Sequence, residues 1–333
     1  MTILVTGATG QIGSELVPFL RQKYGNDRVV ITIKPGSTIA ADLSRADRAV
    51  LLDATDRAAL ENVVEKYKID TIYHLVGILS ARGEQQPDLA WNTNMVSLKN
   101  ILDIAVGQKV KKVFWPSSIA AFGSTTPRKK TSQRTIMEPS TMYGVTKVAG
   151  ELLCQYYHNK FGLDVRSVRF PGIISYKTEP GGGTTDYAVD MFYQALLNKK
   201  YTCFVNADTM LPMMYMDDAI RAIDLLMEAP SDRLSVRTSY NLTALHFTAA
   251  ELAIEIQKHI HDFKCDYNPD YRQQIADSWP QSIDDSVARR DWDWQPSYDL
   301  PRMTNEMIIR LREKLANPPN SKSNSNKLNM LPG

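Results

Sequence analysis

The chain has 333 residues, 43% of them hydrophobic, enough to bury a sizeable core as one large domain or two closely joined ones. Its 39 basic and 37 acidic residues leave a net charge of +2, which argues against nucleic acid or an anionic membrane as the main partner, and no apolar run approaches the ~20 residues of a bilayer span. Three cysteines, Cys154, Cys203 and Cys265, are too widely spaced for a disulfide framework or a zinc site, and no cluster of His, Cys or acidic residues points to a metal.

Short β-branched runs alternate with helical stretches through the first half. Ile3-Leu4-Val5 reads as a buried strand, followed by a glycine turn and an amphipathic helix to about Tyr24, where Gly25 stops it. Residues 29–33 and 50–52 read as the next strands, 57–66 has helical spacing, and 71–76 is a fourth strand. A long helix is expected at 88–106, a strand at 113–116, a helix at 141–160 closed by Gly162, and a strand at 165–170. This order predicts an α/β fold, a Rossmann-like doubly wound parallel sheet with helices on both faces. Beyond residue 171 the texture changes: Gly181-Gly182-Gly183 marks a loop, and shorter helices at 186–198, 217–228 and 248–261 are separated by irregular segments. The expected division is a dinucleotide-binding domain at 1–170 (with contributions from later segments), a smaller C-terminal substrate-binding lobe at 171–316, and a disordered tail at 317–333, rich in Asn, Ser, Lys and Pro.

Thr6-Gly7-Ala8-Thr9-Gly10-Gln11-Ile12-Gly13 follows the first strand directly. Gly7 and Gly10 let backbone N–H groups approach a pyrophosphate, Gly13 lets the helix pack on the strand, and the helix N-terminus faces the anion with unpaired donors. Gly7, Thr9, Gly10, Gln11 and Ile12 are the expected contacts. Tyr143 and Lys147 are four apart at the start of a predicted helix and share a face. A neighbouring ammonium and a positively charged nicotinamide favour phenolate, lowering a pKa that is otherwise near ~10. Tyr156 and Lys160 repeat the spacing, but at ~100° per residue Tyr156 falls roughly 220° around from Tyr143, so that pair reads as structural. Ser118 stands at the carboxyl end of a parallel strand, where ligands bind in open α/β sheets, and its hydroxyl is placed to hold a substrate oxygen toward the phenol. Ser117 reads as its structural neighbour, and His74 as a strand histidine with its hydrogen bonds satisfied.

The glycine spacing of three and three, with the Ser-Ser-x-x-x-Phe-Gly run at 117–123, resembles the extended branch of the short-chain dehydrogenase/reductase superfamily. That resemblance implies an adenine contact at Asp53 and Ala54, further cofactor contacts at Leu75, Tyr143, Lys147 and Ile173, and a relay asparagine at Asn94. The branch places an acid at the end of the second strand for the ribose of NAD. Here the stretch is Ile31-Thr32-Ile33-Lys34-Pro35, where Lys34 would even suit a 2′-phosphate, so the choice of NAD rests on resemblance.

Further stretches resemble the short-chain type of L-threonine 3-dehydrogenase over roughly 2–312: those at 74–81, 169–175, 211–215 and 277–280, and above all the triple glycine followed by Thr184-Thr185-Asp186-Tyr187-Ala188. That family oxidises L-threonine to 2-amino-3-ketobutyrate with NAD. The resemblance implies Tyr143 as general base, with Ser80, Ser118, Thr184, Thr185 and Trp279 around the amino acid and glycine-loop N–H groups suited to its carboxylate. Two other readings stand beside it, a nucleotide-sugar epimerase or dehydratase and a non-catalytic dinucleotide-binding sensor. The superfamily implies a homodimer through the long helix and the Tyr143 helix. The first strand begins at Thr2, so any presequence is expected to have been removed, and the low-complexity tail tilts the compartment toward the mitochondrion, with the cytoplasm expected for a bacterial chain.

Overall fold

A computed structural model describes residues 1–37 and 48–317. From residue 318 onward the tail expected to be disordered lies outside the described residues. Strands β1 (Ile3–Thr6), β2 (Val29–Ile33), β3 (Ala49–Leu51), β4 (Thr71–His74), β5 (Lys112–Ser118), β6 (Asp164–Phe170) and, much later, β10 (Tyr240–Asn241) form one parallel sheet in the order β10-β6-β5-β4-β1-β2-β3. The inner strands are buried on both faces, and the pleat sends alternate residues to opposite cores. Ile3, Val5, Val29, Ile31 and Phe114 face one side; Leu4, Val30, Val113 and Trp115 face the other. Helices α1 (Gly13–Tyr24), α8 (Met216–Glu228) and α11 (Ser286–Trp292) cover the first face, and α2 (Arg57–Tyr67), α5 (Ser97–Gly107) and α6 (Met142–Phe161) the second. The predicted doubly wound α/β fold is therefore the one observed.

The sheet order reverses between β1 and β4, which opens a crevice at their carboxyl ends. Elements beyond residue 171 divide between two bodies. α8, β10 and α11 return to the large sheet, while α7 (Tyr187–Leu197), α9 (Ala249–Gln257) and α12 (Leu300–Ala316) build a second apolar core that reaches Phe122 and Tyr143. Two small sheets flank it: β11 (Leu245–Thr248), β9 (Met210–Tyr215) and β7 (Gly172–Ile174), and the pair β8 (Lys200–Cys203) and β12 (Lys264–Tyr267).

The long helix expected at 88–106 is present, with a change of winding in its middle. It runs as α4 (Pro87–Trp91), a π-helical turn Asn92–Val96, then α5. The turn is widened where the Asn94 side chain leaves the helix surface to bond the backbone of Ile78 and where Ser97 Oγ bonds the Thr93 carbonyl at 2.5 Å. The expected helix at 248–261 ends early, at Gln257, though Thr248 and Glu251 form a full capping box at its start.

Candidate active site

The glycine turn after β1 has the geometry of a phosphate cradle. Gly7 has a left-handed φ of 72°, and a Cβ there would lie 2.8 Å from the Leu75 backbone carbon. A Cβ on Gly13 would lie 2.4 Å from the Gly7 carbonyl oxygen, so only glycine lets α1 sit this close to the turn. The Gly10 N–H closes the turn on that same carbonyl at 3.1 Å. Ile12, at the N-cap of α1, offers no side-chain acceptor, and Gly10, Gln11, Ile12 and Gly13 line the cleft, which leaves the positive end of the helix facing it. These residues fit the pyrophosphate of a dinucleotide. Leu75 and Ile173 form neighbouring walls, and Gln11 Nε2 donates to the Ile173 carbonyl at 3.1 Å.

Four expected cofactor positions, Thr9, Lys34, Asp53 and Ala54, stand apart from this lining. Thr9 is outside it, and Ala54 packs into the core between the sheet and α2. Asp53 accepts bonds from the Thr55 N–H at 3.0 Å and the Thr55 hydroxyl at 2.8 Å, which hold its carboxyl below the usual range, and it meets Lys34 at 3.1 Å. The positive charge that suited a 2′-phosphate in the sequence is thus already opposed by a carboxylate.

Helix α6 presents Tyr143 and Lys147 from its first turns. Thr141 caps it by accepting from the Gly144 N–H at 3.1 Å, and Gly162 ends it with φ 68°. Gly150 allows the helix to lie against β5, since a Cβ there would strike the Trp115 ring at 2.4 Å. Ser118 closes β5, accepts from the Ala120 N–H at 3.2 Å, and lines the cleft with Tyr143, whose phenol its hydroxyl acts to lower. Lys147 Nζ donates to the Pro116 carbonyl at 2.6 Å and lies 5.3 Å from the Tyr143 ring centroid. The phenol, the ammonium and the strand-end hydroxyl therefore converge at one end of the cleft.

The expected lowering of the phenol counts a nicotinamide charge; the protein's own groups by themselves shift it upward. Burial pushes Tyr143 up to about 12, with the Ser118 bond pulling the other way. Burial also pushes Lys147 down to about 7, with Glu151 among the groups opposing that shift. Both groups are desolvated in the same walls, and that cost is the largest cause of each shift.

The remaining expectations are placed as follows. His74 is buried between Thr6 Oγ1 at 2.7 Å and Ser97 Oγ at 3.0 Å, and burial lowers it to about 3, so it is neutral. Ser117 Oγ donates to Glu151 at 2.6 Å. Asn94 does not line the cleft. Its Oδ1 accepts from the Ile78 N–H at 2.7 Å, and its Nδ2 reaches the Ile78 carbonyl at 3.2 Å and Thr146 Oγ1 at 3.1 Å, clamping the loop after β4 to α6.

Ser80, Thr184, Thr185 and Trp279 line the same cleft as Ser118 and Tyr143, with Ser80 Oγ 3.4 Å from Thr184 Oγ1. The N–H groups of Gly181, Gly182 and Gly183 do not await a ligand carboxylate. All three donate to Asp186 Oδ2 at 2.8 Å. The holding role of Asp186 is not legible in the Gly-Gly-Gly-Thr-Thr-Asp run, because a carboxylate three residues past a glycine turn looks like an ordinary cap. Among the described residues lining the cleft, Lys147 is the only lysine, arginine or histidine. No group of three or more His, Cys, Asp or Glu side chains among the described residues is placed to hold a metal ion.

A glycine cradle at the sheet's switch point beside a buried tyrosine, lysine and serine is the site of a nicotinamide-dependent enzyme of the dehydrogenase and epimerase type. The chain belongs to the NAD dependent epimerase/dehydratase family, which it matches over residues 3–242. Its cofactor is NAD, and the cradle fits it. It is 51% identical over 316 residues to an uncharacterized epimerase/dehydratase of Staphylococcus haemolyticus, covering 95% of this chain and 99% of the relative. The structure of a GalE-like L-threonine dehydrogenase from Cupriavidus necator in its holo form is 51% identical, covers 93% of this chain and 100% of its own, and superposes with a TM-score of 0.90. A monomeric L-threonine 3-dehydrogenase from a metagenome, in its apo form, is 48% identical, covers 94% and 99%, and superposes at 0.89. The bacterial relative gives the mitochondrial expectation no support, and most of the tail that prompted it lies outside the described residues.

Proposed function

We propose that this protein oxidises the secondary alcohol of L-threonine to the ketone of 2-amino-3-ketobutyrate, with Tyr143 as the general base. The reading is supported by the cleft itself, whose lining includes the side chains of Ser80, Ser118, Thr184 and Thr185 with Tyr143, and in which Lys147 is the one lysine, arginine or histidine among the described lining residues. A small polar substrate suits such walls. A nucleotide-sugar diphosphate calls for additional positive charge near its phosphates, which favours the amino-acid reading over an epimerase or dehydratase. The similarity to two L-threonine dehydrogenases at about half identity supports the same choice.

In this mechanism Ser118 holds the substrate hydroxyl toward Tyr143, and the Tyr143 oxygen takes its proton as the carbon–oxygen bond becomes a carbonyl. NAD, when bound in the cradle, supplies the acceptor for the hydride that leaves the same carbon. Lys147, lowered to about 7 by burial, favours the ionised phenol while it carries its proton, and its bond to the Pro116 carbonyl fixes where that charge sits. Asn94 holds the Ile78 loop against α6, and Asp186 holds the glycine loop that carries Thr184 and Thr185. The roles of Lys34, Asp53 and Ala54 toward the adenosine half rest on the family resemblance alone.

Steady accumulation of NADH on mixing the protein with NAD and L-threonine tests the proposal. Interconversion of a nucleotide sugar with no net NADH would replace it with the epimerase reading, and cofactor binding without turnover of either substrate with the sensor reading.

We propose further that the chain forms a homodimer through α4, the π-helical turn and α6. The support is a set of exposed apolar side chains on these elements: Leu89, Trp91, Val96, Val145, Leu152, Tyr156 and Phe161.

A further inference from the structure

Glu151 and Arg169 form an ion pair with side-chain exposures of only 0% and 2%. The contact is a fork: Arg169 Nε donates to Oε1 at 2.9 Å and Nη2 to Oε2 at 2.7 Å. Ser117 Oγ adds a third bond to Oε1 at 2.6 Å. Arg169 Nη1 is held in turn by the Gln133 carbonyl at 3.1 Å and Asn241 Oδ1 at 2.9 Å. Burying two charges is costly, and apolar residues of the same volume commonly stabilise a core as well or better. A charged pair at this depth therefore calls for a role other than stability.

Its position supplies one. Glu151 lies one helical turn beyond Lys147 on the same face of α6. Ser117 immediately precedes Ser118 on β5, and Arg169 is the last but one residue of β6, just before Phe170, Pro171 and Gly172, which line the cleft. One carboxylate thus joins the helix that carries Tyr143 and Lys147 to the strand ends that form two other walls.

We propose that Glu151 is a positioning residue for the oxidation, setting Ser118 against Tyr143 through Ser117 and Arg169 and supplying the counter-charge for Lys147. The proposal rests on the assignment of Tyr143, Lys147 and Ser118 to the reaction. The groups facing Lys147 single out Glu151 for the second part. From its own helix come Tyr143, Glu151 and Cys154; from β5 the Trp115 ring and the Pro116 carbonyl; and from β4 His74, while Arg169 of β6 is held by Glu151 itself. Burial pushes the Tyr143 phenol and the Cys154 thiol upward, so both are neutral near pH 7, and it pushes His74 down, so it is neutral too. Glu151 is the remaining anion.

The test compares Glu151→Gln, which keeps the shape and loses the charge, with Glu151→Asp, which keeps the charge and shortens the reach. The full chain is labelled with 13C at the lysine ε-carbons, the Lys147 signal is assigned by its absence in Lys147→Arg, and its titration is followed by NMR. Circular dichroism checks that each variant is folded. In Glu151→Gln the Lys147 proton is expected to dissociate at least tenfold more readily, and in Glu151→Asp within threefold of the parent. With L-threonine and NAD, both variants are expected to lose at least tenfold in kcat, with KM for NAD within threefold. A folded Glu151→Gln protein with unchanged Lys147 titration overturns the counter-charge. If that variant does not fold, Glu151→Asp decides the positioning role, and parental kcat in it overturns the proposal. The titration needs no substrate, so a parent inert toward L-threonine removes the threonine reading while the coupling of Glu151 to Lys147 is judged separately.

Discussion

Lys160 Nζ donates a 2.7 Å hydrogen bond to the Tyr156 hydroxyl on the exposed surface of α6, the same helix and the same four-residue spacing as the buried Tyr143 and Lys147. Spacing alone does not separate the two pairs; helical phase and burial do. The inner pair meets the cleft, and the outer pair belongs to the exposed apolar face of α6. Tyr156→Phe is accordingly expected to leave kcat for L-threonine within twofold of the parent in a reduced-nicotinamide absorbance assay. A loss equal to that of Tyr143→Phe would show the inner pair to be misassigned.

The high Tyr143 value sets the sign of the pH dependence. Burial holds the phenol near 12, so the basic form needed to take a proton is a small fraction at neutral pH and grows about tenfold per unit toward the alkaline side. kcat/KM for alcohol oxidation should therefore rise from pH 7 to pH 10, by less than tenfold per unit because Lys147, near 7, loses the charge that favours phenolate over the same range, and a pH–rate profile that is flat or falling would contradict the role given to Tyr143. The reverse reaction, which needs the protonated phenol, should not show this rise.

His74 contributes to stability in the opposite sense from a salt-bridged histidine. Burial depresses it to about 3 in the folded chain against an ordinary value of 6.5, so the unfolded chain binds the extra proton between those limits. Stability is unaffected well above pH 6.5 and falls as the pH drops below it, by about 2 kcal/mol at pH 5 from this group alone. Denaturant melts of the parent and of His74→Gln at pH 8 and pH 5 check this. The variant should lose less stability than the parent between the two, and an identical loss would mean that His74 is not held neutral.

The apolar face formed by α4, the π-helical turn and α6 should make the protein dimeric at micromolar concentration by light scattering. Leu152→Glu together with Phe161→Glu should shift it to the monomeric mass without unfolding it. A parent that already runs as a monomer removes the dimer proposal and leaves the cleft untouched.

The sheet and the cradle were legible because their signals are local. A buried strand, a glycine turn and an amphipathic helix follow one another within 24 residues, and pleat alternation in β1, β2 and β5 fixes both cores. Tyr143, Lys147 and Ser118 were legible because each sits at the edge of a predicted element. Other features depend on contacts that spacing does not carry. The π-helical turn is set by Asn94 reaching 16 residues back to Ile78, which no helical periodicity reports. Arg169 reads as one more strand residue until it meets Glu151 at a distance of 18 positions. α12 was missed although Asp299 caps it and a proline follows inside its first turn, since its apolar face reads clearly only beside α7 and α9. The burial that raises Tyr143 was not legible for the same reason: it is a property of the assembled walls, not of the helix.

The most direct measurement is NADH formation from L-threonine and NAD by the parent and by Tyr143→Phe at pH 9, alongside NADH affinity by fluorescence for each. The account predicts accumulation of NADH by the parent, a loss of at least ~100-fold in kcat for the variant, and affinities within threefold of one another. A variant as active as the parent would contradict it, because the proton would then leave the substrate hydroxyl by a route that does not pass through Tyr143.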